Sequence, residues 1–227
     1  PVPGESTKLA EGVWTERIDA AVVVENHRAA LSGTSYTVTE HMRVGPPDNA
    51  SFEQRIVASV APGWERFSVE DTISTARDGY LGRGTDVWWN GDRAFYRYAF
   101  RDGNQTYYAV DSKPSRRLYV AESFPDLVQS LSVTTVERGP GESVIVGGSI
   151  DDTSLVPRMK DVWGIKNASM TIRIGADGVV DQMAIGYDAN HHDDGRLRVR
   201  YSYRITDVGS TTVDPPAWHD EFEESNK

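Results

Sequence analysis

Cysteine is absent from all 227 residues, which excludes disulfides, thiolate catalysis and cysteine-based metal sites. Lysine is scarce, with 5 against 19 arginines, while 20 aspartates and 14 glutamates bring the formal charge to −10. An acidic surface of this kind argues against non-specific binding to nucleic acid or anionic headgroups, which need a basic field. At molar salt the Debye length shrinks to ~3 Å, so the self-repulsion is screened while the surface stays hydrated. The composition therefore reads as that of a halophile's protein. No apolar run approaches the ~20 residues of a membrane helix. The opening Pro1-Val2-Pro3-Gly4-Glu5 lacks the basic and apolar regions of a signal peptide, as a trimmed secreted chain also would.

Signatures of chemistry are missing too. The chain has no Gly-x-Ser-x-Gly elbow, no Ser-x-x-Lys, no His-Glu-x-x-His and no phosphate-binding or calcium loop. His191-His192-Asp193-Asp194 is the densest group of metal-type ligands. Consecutive residues at a hairpin diverge, however, so a hydrated turn with Gly195 in the left-handed region is the simpler expectation. A hydrolase using His191 or His192 would need an acid from another strand to converge on them. No catalytic residue, metal site or cofactor is expected, and the chain is read as non-enzymatic. Three of the seven asparagines, Asn49, Asn104 and Asn167, lie in Asn-x-Ser/Thr sequons, where about one is expected by chance. They are candidate glycosylation sites and point to the cell surface.

What the chain has in abundance is alternation. Arg196 to Ile205 places Leu197, Val199, Tyr201, Tyr203 and Ile205 on one side and Arg196, Arg198, Arg200 and Arg204 on the other, a strand with one dry and one wet face. Acids on a neighbouring strand answer such an arginine stripe more simply than a bound phosphate does. Tyr36, Val38, Met42 and Val44 alternate with Thr37, Thr39, His41 and Arg43, and Phe52, Ile56, Ala58 and Val60 with Glu53, Arg55 and Ser59. Asn90-Gly91, taken as a type I′ hairpin loop, pairs Val87 with Ala94. Val87, Trp89, Ala94, Tyr96, Tyr98 and Phe100 then share a face opposite Arg93, Arg97 and Arg101. Met170, Ile172 and Ile174 precede a Gly-Ala-Asp-Gly turn, and Val179, Met183, Ile185 and Tyr187 return on the same face, with Asp181 as its one polar intruder. Gly147-Gly148 marks a bulge or bend.

Helical spacing is rarer. Ile18 to Ser32 lines up Ala20, Val23, Val24, His27 and Leu31, with Gly33 as a stop signal. His27 reads as a core histidine with one hydrogen-bond partner. Ser123-Phe-Pro-Asp126 opens a short helix through Leu131, and a second short piece spans Ser154 to Lys160. The expected fold is mainly β: a strongly curved antiparallel half-barrel of about eleven strands, with one long N-terminal helix and two short ones covering the concave face. Residues 1–16 read as a flexible lead-in, 17–218 as one domain and 219–227 as an acidic tail.

The helix ending His27-Arg-Ala-Ala-Leu31 and running into Ser35-Tyr36-Thr37-Val38, together with the ending Tyr201 to Val213 followed by Pro215-Pro216-Ala-Trp218, resembles secreted lipoproteins of halophilic archaea. The order of elements more distantly resembles the lipoprotein-carrier superfamily that includes LolA, LppX and LprG. The resemblance implies a half-barrel with helices in its mouth, tethered to the outer face of the cytoplasmic membrane through a lipidated N-terminal cysteine. With no cysteine in this chain, such a tether would lie upstream of Pro1 or be missing. A sheet this wide with so few helices to cover it would leave an apolar hollow for a lipid or other hydrophobic ligand. Candidate cavity residues are Val87, Trp89, Tyr96, Tyr98, Phe100, Met170, Met183, Tyr201 and Tyr203. The alternative is a structural or protein-interaction module of the cell envelope, its hollow filled by its own aromatics.

Overall fold

The alternation becomes a single antiparallel sheet. In the computed structural model, which describes residues 20–46, 52–75, 84–100, 103–114, 119–157, 162–191 and 195–225, the first six strands are β1 (Tyr36–Gly45), β2 (Phe52–Val60), β3 (Phe67–Thr75), β4 (Gly84–Trp89), β5 (Ala94–Ala99) and β6 (Gln105–Val110). They are followed by β7 (Leu131–Arg138), β8 (Val144–Ile150), β9 (Val162–Ile174), β10 (Val180–His191) and β11 (Gly195–Thr206). Three helices accompany them among the described residues: α1 (Ala20–Ser32), α2 (Tyr119–Gln129) and α3 (Trp218–Ser225). The spatial order is β6-β5-β4-β3-β2-β1-β11-β10-β9-β8-β7. The chain thus starts at the middle of the sheet and meanders out to one edge. It then crosses to the other edge and returns to pair β11 with β1. The sheet stays open, a curved half-barrel whose crossover carries α2 over the inner face.

The two faces follow residue parity. Val38, Val60, Val69, Val87, Ile172, Met183 and Val199 are all buried beneath α1 and α2, in one continuous cluster with Val23, Val24, Phe124, Leu127 and Val128. The arginines of β11 stay outside. Asp188 of β10 accepts from Arg196 at 2.9 Å, Arg198 at 3.2 Å and Asn167 at 3.1 Å. The Asn167 hydrogen bond and the Arg196 contact hold its carboxyl at about 2. The stripe is answered by an acid at its lower end, while Arg200 stands directly opposite Arg43 of β1.

Several expectations are corrected. The β4–β5 hairpin pairs Val87 with Tyr96 and Trp89 with Ala94, two residues away from the expected register. The turn centres on Gly91-Asp92, because Asn90 pairs with Arg93 and its Oδ1 accepts from the Asp92 and Arg93 amides at 2.9 and 2.8 Å. Gly91, at φ 105°, supplies the positive φ that the first turn position needs. A shift of two residues preserves parity, so the expected faces survive. Asp181 does not intrude on the inner face. The register with β9 shifts between Val180 and Gln182, and this bulge turns Asp181 to Arg173, which it meets at 2.6 and 2.7 Å.

Opposite Gly148 a second bulge forms, between Val133 and Thr135 of β7. A Cβ on Gly148 would lie 2.0 Å from the Ser132 carbonyl oxygen, so only glycine admits this backbone approach. Gly33 is not among the residues with positive φ. α2 begins four residues before Ser123, with Pro125 inside it, and ends before Leu131, which belongs to β7. Residues 154–157 form a turn, with the Ser154 amide donating to Asp152 Oδ1 at 2.9 Å. Residues 158–160 lie outside the described residues, as do 1–16, Asn49 and His192 to Asp194.

The expected acidic tail is helical to Ser225, and it covers the outer face, not the inner one. Trp218 and Phe222, one helical turn apart, are buried against Trp88 and Phe95, which alternate with the inner-face residues of β4 and β5. His219 stands edge-on to Trp88 at 4.5 Å and to Phe95 at 4.6 Å, and the Tyr107 hydroxyl donates to Glu221. The indole nitrogens of Trp88 and Trp218 are buried there without a partner among the described residues, each at a cost of about 1–3 kcal/mol. The docking is therefore weakly favoured. Phe222→Ala is expected to release α3 alone: amide exchange protection from Trp218 onward is lost while β1 and β11 stay protected. Loss of protection across the sheet would show instead that α3 is integral to the core.

Candidate functional site

Where α1, α2 and the turn between β2 and β3 meet over the sheet, the cover leaves a cavity of about 530 Å³. Its floor is Tyr36 and Val38 of β1 and Tyr203 of β11. Its roof is His27, Arg28, Leu31 and Ser32 of α1 with Phe124 and Pro125 of α2, and Gly63 and Trp64 close one side. Arg28, Ser32 and Gly63 are exposed and mark the mouth. None of the lining residues is acidic.

Each wall has a local cause. The helical stripe of α1 buries Val23, Val24, His27 and Leu31, so His27 points down beside the cavity. Its Nδ1 accepts the Val180 amide at 3.3 Å, and its ring lies 4.2 Å from that of Phe124. This single bond pins the helix to the sheet and fixes the tautomer with the proton on Nε2. Burial, assisted by the Arg28 charge, lowers the His27 pKa to about 4, and the imidazole is neutral at ordinary pH.

Trp64 sits at φ 59°, a left-handed conformation that is a genuine outlier for a bulky side chain. It is held there by packing, with its ring edge-on to Phe67 at 5.5 Å and Tyr36 at 6.4 Å. Next to the floor on the same face, Glu40 is 1% exposed and stands opposite Tyr203. Burial raises the Tyr203 hydroxyl well above its usual range, with Tyr36 and Glu40 adding to the effect.

The nine residues expected to line a hollow separate into groups. Tyr203 lines this cavity and the other eight do not. Val87, Trp89 and Tyr96 are buried on the inner face of β4 and β5, and Met170, Met183 and Tyr201 are buried on β9, β10 and β11. Tyr98 is partly buried and packs against the core. Its hydroxyl meets that of Tyr108 at 2.7 Å in a stack that also holds Tyr96. Phe100 lies just past β5, half-buried. Of the sequons, Asn104 is exposed before β6, whereas the Asn167 amide is engaged with Asp188. Gly195 takes φ 68°, as the turn after His191 requires. Among the described residues no group of three metal-type ligands converges.

Apart from Tyr203, sequence reasoning named none of the lining residues as part of a cavity, Arg28, Trp64, Phe124 and Pro125 among them. An aromatic in a Pro-Gly-Trp turn was a usable signal, whereas the meeting of α2 with α1 had none. It also passed over Glu40, Gln54 and Asp71, which continue the apolar parity of β1, β2 and β3 and are all buried.

The His27 shift sets an acid response. Because its pKa falls from 6.5 to about 4 on folding, the unfolded chain takes up a proton first. Stability is unpenalised above pH 6.5 and declines as pH falls to about 4, by on the order of 2–3 kcal/mol. In His27→Gln that decline is expected to flatten, as read from urea midpoints across this range. An unchanged slope would place the acid sensitivity elsewhere.

No protein-family model matches the chain, and no curated protein matches it in sequence. Among solved structures it is similar to a DUF1329 family protein from Desulfovibrio piger, at 10% identity and TM-score 0.29, over 90% of this chain and 96% of that one. It is similar also to a LolA superfamily protein from Nitrosomonas europaea, at 11% identity and TM-score 0.27, over 87% of this chain and 94% of that one. A structure of lipid–protein interactions in lipovitellin matches at 8% identity and TM-score 0.31, over 82% of this chain but 26% of that one.

Proposed function

We propose that this chain is a non-enzymatic binding protein that holds a hydrophobic ligand in the cavity between its helices and its sheet. The observation that carries the reading is the cavity itself: about 530 Å³, within the ~300–1,000 Å³ of small-molecule sites, walled by Leu31, Val38, Trp64, Phe124 and three further rings. Its histidine is neutral and bonded to the Val180 amide, which suits a place for apolar groups better than a place for acid–base chemistry. Burial of roughly ten methylenes at ~0.8 kcal/mol each contributes about 8 kcal/mol, which exceeds the low end of the association cost of ~4 kcal/mol.

A cell-surface setting belongs to the same proposal. It is supported by the exposed sequon at Asn104 and by the acidic composition. The second reading, an envelope interaction module, is favoured by one observation: most of the inner-face aromatics, including Trp89, Tyr96 and Tyr201, are buried in the protein's own core.

Native mass spectrometry of the protein with a single-chain lipid, and analysis of an organic extract of protein purified without detergent, test the proposal. One lipid per chain is expected, and Leu31→Trp, which fills the roof, is expected to abolish it while circular dichroism stays unchanged. Lipid-free protein in both experiments favours the interaction module.

A further inference from the structure

We infer that the ligand is a single-chain anionic amphiphile, with its charged head at the cavity mouth against Arg28 and its tail on the floor formed by Val38 and Tyr203. The inference rests on the binding function proposed above and names the chemistry of that site. Capacity is the first argument. A methylene and a liquid water each occupy ~30 Å³, so 530 Å³ accepts roughly eighteen such groups, which is one chain and not the paired chains of a bilayer lipid.

Charge is the second argument. In a protein of net charge −10, the residues that line this cavity include one guanidinium and no carboxylate. Arg28 is exposed at the rim, and among the described residues none forms an ion pair with it. Its charge is already felt in the site, since it contributes to the depression of His27. A guanidinium fork binds a carboxylate, sulfate or phosphate through two parallel hydrogen bonds, and because the Ser32 hydroxyl, one helical turn further along the rim, donates to the Ala29 carbonyl at 3.0 Å, Arg28 is the donor that meets the head.

Orientation follows from what lies at the opposite end. The floor is apolar apart from the hydroxyls of Tyr36 and Tyr203, and the buried Glu40 lies next to it on the same face of the sheet, opposite Tyr203. An anion placed deep in the cavity would leave water for an apolar wall with an acid beside it, at a cost of several kcal/mol. At the mouth it keeps its hydration on one side and gains Arg28 on the other. A cationic head would meet Arg28 directly, and a neutral head would gain nothing from it.

Three probes of equal chain length separate the possibilities: palmitate, hexadecanol and hexadecylamine, each titrated at low salt by native mass spectrometry or displacement of a fluorescent fatty acid. Palmitate is expected to bind about tenfold tighter than hexadecanol, with hexadecylamine weakest. Arg28→Gln is expected to remove the palmitate advantage and leave hexadecanol binding unchanged. Arg28→Lys keeps part of it, and added salt shrinks it, because the ion pair is exposed. Equal affinity of the wild type for palmitate and hexadecanol overturns the inference while leaving the hydrophobic site standing. So does an Arg28→Gln variant that weakens both alike. Failure of all three probes to bind overturns the proposed function together with it.

Discussion

An open sheet of eleven strands with one continuous apolar face has to cover that face, because neither closure nor a second sheet does it here. Everything else in the molecule is arranged around that need. The chain begins in the middle of the sheet, so α1 enters directly over β1 and β11. The single crossover from β6 to β7 lays α2 beside it, and Leu127 and Val128 disappear into the core. The strands are held by ladders of backbone hydrogen bonds. The cover is held by side-chain packing and by a bond from the Val180 amide to His27. Sheet and cover therefore differ in how firmly they are fixed, and a cover held by side chains belongs to the low-stability end of a fold. The cavity lies within that cover, between the two helices and the curved sheet.

The same face carries polar groups that the hydrophobic argument alone would forbid. The Gln54 amide donates to both oxygens of Asp71 at 2.9 and 3.0 Å. The Asp71 backbone amide donates to Asp86 at 3.2 Å, and Asp86 takes the Arg97 guanidinium on the outer side. A chain of contacts thus runs from the inner to the outer face across β2 to β5. Buried groups of this kind cost heavily in any arrangement that leaves one unpaired. A slip of β3 against β2 or β4 would break several at once, which ties the register of this half of the sheet more tightly than apolar parity does. In the other half Asp188 of β10 is tied to Asn167 of β9 and to Arg196 and Arg198 of β11, and bulges at Asp181 and Thr134 reset the register.

What was legible in the sequence is what depends on neighbours in the chain. The stripe of α1, including His27, and the faces of β1, β4, β5 and β11 follow from spacing alone, and so does the mainly β architecture. Parity failed at Asp181 because a bulge adds one residue, a change no local pattern announces. At the β4–β5 hairpin parity held and the register did not, because Asn90 caps the turn and does not occupy its centre. Trp218-His-Asp-Glu-Phe222 reads as acidic when residues are counted, but as an amphipathic turn when its two aromatics are placed one helical turn apart. The cavity was the least legible feature. Its residues come from α1, β1, the Pro62–Trp64 turn, α2 and β11, and only the path of the crossover decides that they meet. The conspicuous aromatics of β4 and β5 do not line this cavity, and large rings in mid-strand commonly fill volume.

The strained backbone at Trp64 connects these levels. A tryptophan at φ 59° costs on the order of 1–3 kcal/mol, and a turn between two strands has residues available that would avoid the cost. Trp64 is retained in that conformation because the turn must aim its ring inward. There it stacks edge-on with Phe67 and Tyr36 and walls off one side of the cavity. A side chain pointing outward would leave the hollow open along the β2–β3 end, where apolar contents would meet water. The floor and this wall are thus set by the rigid sheet, while the roof and the charged rim belong to α1, the element pinned by a single histidine. That division assigns depth and chain length to Val38, Trp64 and Tyr203, and entry and head-group choice to the helix. The two properties can change independently in this fold.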